Sequence, residues 1–134
     1  MLVIHRWPSP ATALLALVCG SGLVPTAAAG PAEGNAERGR EIYHACEDCH
    51  SIDENDVGPM HRGVVGRRAG IVPGYAYSPE LKASGITWTE QALDRWLTSP
   101  QAMVPGTRMT FFLDDPQQRA DVIAFLKQYA KIGK

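Results

Sequence analysis

The chain has 134 residues, with 13 Lys and Arg against 14 Asp and Glu, so its formal net charge is −1. This balance argues against a nucleic-acid partner, and no basic tract interleaved with aromatic residues suggests one. The length is sufficient for one domain and too short for two.

The first 29 residues are predicted to form a secretory signal peptide. His5 and Arg6 form a positive front, residues 11–18 are apolar, and the alanines at 27–29 are the small residues that a signal peptidase recognises. The apolar stretch is too short and too interrupted for a membrane span, although an uncleaved anchor is the alternative. We therefore expect a soluble periplasmic protein with no stable membrane insertion after cleavage, in which residues 30–134 form one domain.

The first helix of this domain is expected to begin after Asn35, which is a favourable N-cap residue. Gly39, Ile42, Tyr43 and Cys46 then recur at the helical interval on one face. The pattern predicts a helix that leads directly into the chemical motif of the chain.

Cys46, Cys49 and His50 form this motif, a C-x-x-C-H sequence. Its spacing lets both sulfurs form thioethers with one haem while the adjacent imidazole binds the iron. Zinc ribbons and dithiol oxidoreductases also use C-x-x-C, but a zinc ribbon needs a second ligand pair and a thioredoxin-like protein has a strand before its motif. The remaining cysteine, Cys19, lies in the predicted signal peptide. We therefore predict one covalently attached haem c.

The segment from residue 51 to residue 73 is predicted to be loop, because it holds six glycines and prolines and no alternating apolar run. Ser78 and Pro79 begin a brief helix that ends near Gly85, and Ser99 begins another.

Two longer helices complete the predicted elements. One opens at Thr87, with Glu90 completing a capping box, and ends at Pro100; its inward residues are Leu93, Trp96 and Leu97. The other has Asp115 as N-cap and Pro116 at its first position; its apolar face carries Val122, Ile123, Leu126, Tyr129 and Ala130.

A haem bound through His50 needs a ligand on its other face, and the candidates are Met60, His61, Met103, Met109, water or none. Met60 and His61 follow His50 too closely to reach the opposite face easily. Met109 lies 59 residues beyond His50, in a polar loop after a proline-glycine turn. A methionine in such a loop is less well explained as a residue that only fills the core. Spacing and ligand type therefore favour Met109.

The ordered motifs of the chain resemble class I cytochromes c, the group that includes bacterial cytochrome c2 and mitochondrial cytochrome c. The similar stretches within residues 34–131 are Gly39 to Tyr43, Cys46 to His50, Gly58-Pro59, Gly63 to Arg67, Pro73 to Ser78, Gly85 to Trp88, Pro105 to Met109 and Asp121 to Leu126. The resemblance implies an all-α fold in which helices and loops surround one covalently bound haem.

The same resemblance implies roles for individual residues. His50 and Met109 would be the axial ligands, and the Pro59 carbonyl would accept a hydrogen bond from His50. Further haem-binding residues are implied, several of them toward the propionates; they are Arg67, Tyr75, Tyr77, Trp88, Trp96 and Thr107.

Two positions depart from the family pattern. Trp96 stands where many relatives have a tyrosine whose hydroxyl approaches the methionine sulfur. His61 stands where an apolar side chain packs near the haem. Because a buried unpaired imidazole is costly, His61 is expected to turn outward; the alternative is a titrating group near the haem.

The sequence thus predicts a monomeric, periplasmic carrier of single electrons rather than an enzyme. Its expected partners are larger redox proteins, such as an oxidase, a bc1-type complex or a dehydrogenase. The alternatives are a haem enzyme or gas-binding sensor with an open iron site, and a dedicated electron-accepting partner of one dehydrogenase.

Overall fold

A computed structural model of the chain describes residues 33–130, and the predicted signal peptide lies outside the described residues. Five α-helices and one 3₁₀ turn occur in this part of the chain: α1 (Ala36–Tyr43), the turn His44–Cys46, α2 (Pro79–Ala83), α3 (Glu90–Thr98), α4 (Pro100–Met103) and α5 (Pro116–Lys127). Residues 33–130 contain no strand, only an isolated antiparallel bridge between Arg68 and Thr87. The all-α prediction and the long loop over residues 51–73 are therefore confirmed.

The N-caps of the first and last helices are the residues predicted from the sequence. The side chain of Asn35 accepts hydrogen bonds from the backbone N–H groups of Glu37 and Arg38, each at 3.0 Å. Asp115 accepts from the backbone N–H of Gln117 at 2.8 Å, and a proline occupies the first position of α5. Such caps satisfy N–H groups that have no partner within the helix.

Two predicted boundaries are wrong. The N-cap of α3 is Thr89 and not Thr87 as predicted, because the Thr89 hydroxyl accepts a hydrogen bond from the Ala92 N–H at 3.1 Å. Thr87 instead forms the antiparallel bridge with Arg68. Helix α5 ends at Lys127, so Tyr129 and Ala130 lie beyond it, half-buried and exposed respectively. The inward residues of α3 are buried as expected, and Ser78 and Ser99 cap the two brief helices.

Helices α1 and α5 cross in close contact, which places the end of α1 beside the core. A Cβ atom at Gly39 would clash with the backbone of Asp121, so only glycine permits this approach. One turn further along, the rings of Tyr43 and Phe125 pack with their centroids 5.0 Å apart. The crossing therefore fixes where the chain enters the C-x-x-C-H motif. No helix in residues 33–130 has both the length and the apolar character needed to cross a membrane.

A buried carboxylate joins the beginning of α1 to α5. Asp121 is 2% exposed and accepts a hydrogen bond from the Asn35 N–H at 2.7 Å. Its two oxygens also accept from Arg38 Nε and Nη2, at 2.8 and 2.9 Å, and from Gln117 Nε2 at 2.9 Å. The hydrogen bonds from Arg38 lower the pKa of this carboxyl to about 2. The charged form of Asp121 therefore stabilises the helix pair.

We expect Asp121→Asn to lower the free energy of unfolding of the holoprotein by about 1–3 kcal/mol at pH 7, because an amide cannot accept all of these hydrogen bonds. Since the pKa is lowered in the folded state, the stabilisation is complete above about pH 4 and is lost as the pH falls toward 2. Denaturant titrations at pH 7 and pH 2.5 measure both effects, with the exposed Glu37→Gln on α1 as control. Equal stability of Asp121→Asn and the unaltered protein at pH 7 would contradict this account.

Candidate functional site

A cavity of about 330 Å³ lies between the helices and the long loop. Its walls come from α1, the 3₁₀ turn, the long loop, α2 with the segment before it, α3, α5 and the loop before α5. All eleven site residues predicted from the sequence line it: Cys46, Cys49, His50, Pro59, Arg67, Tyr75, Tyr77, Trp88, Trp96, Thr107 and Met109. Predicted site residues that are up to 63 positions apart in the chain therefore meet around one space.

The two cysteines lie on a tight turn at the edge of the cavity. The backbone N–H groups of Cys49 and His50 both donate to the Cys46 carbonyl, at 3.1 and 2.8 Å. Cys46 is half-buried and Cys49 is exposed. Burial raises the pKa of the Cys46 thiol to about 11. This direction is opposite to that of the reactive thiol of a dithiol oxidoreductase, whose pKa is lowered.

His50 is held with one ring nitrogen available for a metal. Its Nδ1 lies 2.8 Å from the Pro59 carbonyl oxygen, which can only accept, so Nδ1 carries the proton and Nε2 keeps its lone pair. A Cβ atom at Gly58 would clash with the His50 ring, so the backbone there lies directly against the imidazole. Burial is the main cause that lowers the pKa of His50 and favours the neutral form that binds metals.

The Met109 side chain has a hydrogen-bond donor of its own. The indole Nε1–H of the buried Trp96 donates to Met109 Sδ at 3.1 Å. Gln101 Nε2 donates to the carbonyls of Thr107 and Met109, and Arg108 Nη1 donates to the Ala76 carbonyl at 2.7 Å. The loop that carries the thioether is therefore tied both to α4 and to the chain before α2.

The polar residues expected near the propionates also hold the long loop. Arg67 Nη1 and Nη2 donate to the carbonyls of Arg62 and Met60, at 2.7 and 2.8 Å. The Tyr75 hydroxyl donates to the Val57 carbonyl at 2.6 Å. Both side chains therefore shape the loop segment that carries Pro59, in addition to lining the cavity.

The expectation that His61 turns outward is wrong. Its side chain lines the cavity, and its ring stacks on that of His50 with the centroids 4.1 Å apart and the planes at 19°. The Tyr43 hydroxyl lies 3.0 Å from His61 Nδ1, and this hydrogen bond removes the cost of burying an unpaired imidazole. The sequence does place a hydroxyl-bearing residue, Tyr43, on the inner face of α1, but its contact with His61 joins separate parts of the chain.

The cavity suits a haem in both shape and chemistry. Aromatic rings form much of its buried wall, two thiols stand at its edge, and an imidazole and a thioether face the same space; these residues are Tyr43, Trp88, Trp96, Cys46, Cys49, His50 and Met109. Nitrogen and thioether sulfur are a ligand pair that haem iron accepts, and apolar walls with a few polar groups are typical of cofactor sites.

Comparison with known proteins agrees with this geometry. The family model "Cytochrome c" matches residues 36–130. Cytochrome c2 of Rhodomicrobium vannielii is 46% identical over 111 residues, which are 80% of this chain and 88% of that protein. Cytochrome c-550 of Nitrobacter winogradskyi is 43% identical over 105 residues, covering 75% of this chain and 96% of that protein.

Solved structures show the same relationship. Cytochrome cH from Methylobacterium extorquens superposes with a TM-score of 0.69 at 43% identity, covering 71% of this chain and 99% of that one. Ferricytochrome c2 from Rhodopseudomonas palustris gives a TM-score of 0.68 at 37% identity, covering 71% and 98%. The chain therefore belongs to the cytochrome c family and is a small electron-carrier cytochrome with one haem c attached covalently through Cys46 and Cys49.

Proposed function

We propose that this protein carries single electrons in the periplasm, with His50 and Met109 as the axial ligands of its haem iron. The observation that carries the proposal is that a neutral imidazole and a thioether, each held by its own hydrogen bond, line the same cavity as both cysteines. When bound, the haem supplies a reversible Fe(III)/Fe(II) change.

The side chains around this site have separate tasks. His50 supplies a nitrogen whose donor strength is raised by the hydrogen bond to Pro59. Met109 supplies a neutral thioether, which raises the potential by favouring the ferrous state. The buried rings of Trp88 and Trp96 exclude water, so few dipoles need to reorient when the charge of the iron changes. Arg67, Tyr75, Tyr77, Trp88 and Thr107 are proposed to bind the remaining haem edge, including the propionates.

Export is the second part of the proposal. Residues 1–29 are proposed as a cleaved signal peptide, which leaves residues 30–134 as the monohaem domain. The support is the N-terminal sequence pattern together with the covalent haem, a combination typical of bacterial proteins that mature outside the cytoplasm.

The ligand assignment is tested with Met109→Ala. We expect haem to stay covalently attached, while the near-infrared sulfur-to-iron band of the oxidised protein disappears and the ferrous protein gains carbon monoxide binding. Met103→Ala is the matched control, because Met103 packs against the core outside the cavity and should leave both spectra unchanged. An unchanged near-infrared band in Met109→Ala would assign the axial role to another residue. Ready carbon monoxide binding by the unaltered protein would support the open-site enzyme or sensor instead.

The indole of Trp96 is expected to raise the midpoint potential of the haem iron. The hydrogen bond to Sδ withdraws electron density from the thioether, so its removal should strengthen the donation from sulfur to ferric iron. We therefore expect Trp96→Phe to lower the midpoint potential while the near-infrared band is retained. Spectroelectrochemical titration of the holoprotein measures the shift. A potential equal to that of the unaltered protein would contradict this role.

The mouth of the cavity is proposed as the place where electrons enter and leave. Cys49 is exposed there. Val57 and Phe111 also line the cavity, and they are 68% and 38% exposed to solvent. Exposed apolar residues at a cavity mouth suit brief docking with a larger redox protein such as an oxidase, a bc1-type complex or a dehydrogenase.

Three acidic residues are adjacent in the chain to residues that line this mouth. Glu47 and Asp48 lie between the two cysteines, Asp56 precedes Val57, and all three are exposed. Among the cavity-lining residues of the loop before α5, Arg108 carries a positive charge. Since complementary fields speed encounter, this distribution favours partners whose docking face is not acidic.

The sign of this local field is measurable with small redox reagents. As salt rises from about 0.01 M to about 0.15 M, the Debye length falls from about 30 to about 8 Å. We expect oxidation of the ferrous protein by cationic cobalt(III) tris-phenanthroline to slow over this range, and oxidation by ferricyanide to accelerate. Asp48→Asn should weaken both trends, whereas Glu37→Gln, away from the cavity, should not. The opposite trends would overturn the assignment of an acidic mouth.

A further inference from the structure

Two polar side chains line the cavity beside His50 without a task in the function proposed above. Tyr43 is the last residue of α1 and is 2% exposed, and His61 follows Pro59 by two positions in the long loop. Tyr43 Oη and His61 Nδ1 lie 3.0 Å apart. They form a hydrogen-bonded pair inside an otherwise largely apolar wall.

The structure holds His61 firmly in this position. Its backbone N–H donates to the Ser51 carbonyl at 2.9 Å, and its carbonyl accepts from the Val64 N–H at 2.8 Å. Tyr43 is fixed in turn, because its ring packs against Phe125 with the centroids 5.0 Å apart. The backbone of His61 is therefore held by two hydrogen bonds, and its imidazole is held by the hydroxyl of Tyr43.

Both members of the pair are neutral around neutral pH. Burial, together with the nearby His50 and Arg67, lowers the pKa of His61 well below its ordinary value. Burial also raises the pKa of Tyr43. The pair therefore acts through its shape and its hydrogen bond, and not through a change of charge.

The Pro59 carbonyl fixes the direction in which Nδ1 of His50 points, and the Gly58 backbone lies against the same ring. The His61 ring is a further contact that bears on the plane of this imidazole. The His61 ring lies nearly parallel to the His50 ring, with the centroids 4.1 Å apart and an interplanar angle of 19°. A fixed flat surface at this distance resists rotation of the neighbouring ring out of its plane.

We propose that His61, anchored by the hydroxyl of Tyr43, is a positioning residue that sets the plane of the His50 imidazole. This inference rests on the proposed role of His50 as an axial ligand. The orientation of a ligand plane determines which iron d orbital overlaps the imidazole π system, and hence how unpaired spin is distributed over the haem in the oxidised state. The Tyr43–His61 pair therefore influences the electronic structure of the site without touching the iron.

The test uses the oxidised holoprotein and the paramagnetically shifted haem methyl resonances in its proton NMR spectrum. Tyr43→Phe keeps the aromatic packing and removes only the hydroxyl, while His61→Leu removes the stacked ring. We expect both variants to change the spread of the four methyl shifts. We also expect Tyr43→Phe to have no further effect in the His61→Leu background, because the hydroxyl acts through the imidazole.

His44→Gln is the matched control, because this histidine is exposed and pairs with Glu47 rather than with a residue of the cavity. Its methyl shifts should equal those of the unaltered protein. Unchanged methyl shifts in both Tyr43→Phe and His61→Leu would overturn the proposal even if both variants were less stable. If His61→Leu does not acquire haem, Tyr43→Phe alone decides by the same criterion. Failure of the axial assignment is separately visible, since the unaltered protein would then lack a low-spin, six-coordinate spectrum.

Discussion

The hydrogen bond between His50 Nδ1 and the Pro59 carbonyl is the constraint on which the rest of the site depends. It selects the tautomer that leaves Nε2 free, and it requires the backbone at Gly58 to lie against the ring with no side chain between them. The long loop must therefore return to the motif within nine residues. Arg67 and Tyr75 hold this return in place, because both donate to backbone carbonyls between residues 57 and 62.

A second constraint brings the motif to the cavity in the first place. Helix α1 has only eight residues, which is too short to be stable without tertiary contacts. Its crossing with α5 supplies them, through the close approach at Gly39 and the buried carboxylate of Asp121. Because the 3₁₀ turn follows α1 directly, the orientation of this helix pair determines where the thiols of Cys46 and Cys49 lie.

The success of the sequence-based predictions depended on how local each interaction is. The caps at Asn35 and Asp115 were predictable, because a cap involves residues two or three positions apart. The cap of α3 was misplaced by two residues, because Thr87 and Thr89 both precede Glu90 and only the tertiary bridge to Arg68 distinguishes them. The eleven residues predicted for the site line one cavity, because family motifs record their order along the chain even where folding must bring them together.

The inward position of His61 shows what such motifs leave out. Comparison of the loop with the family motif shows that an imidazole replaces an apolar side chain at position 61. It does not show that the Tyr43 hydroxyl, 18 residues earlier in the chain, forms a hydrogen bond with this imidazole. Trp96 is a parallel case, since its N–H meets the sulfur of Met109, 13 residues later. Within residues 33–130, no buried side-chain nitrogen or oxygen atom lacks a partner. The polar rings of His61 and Trp96 are therefore tolerated beside the proposed ligands, because each ring is neutral and hydrogen-bonded. Neutral, hydrogen-bonded groups also add little reorganisation energy when the charge on a bound iron changes.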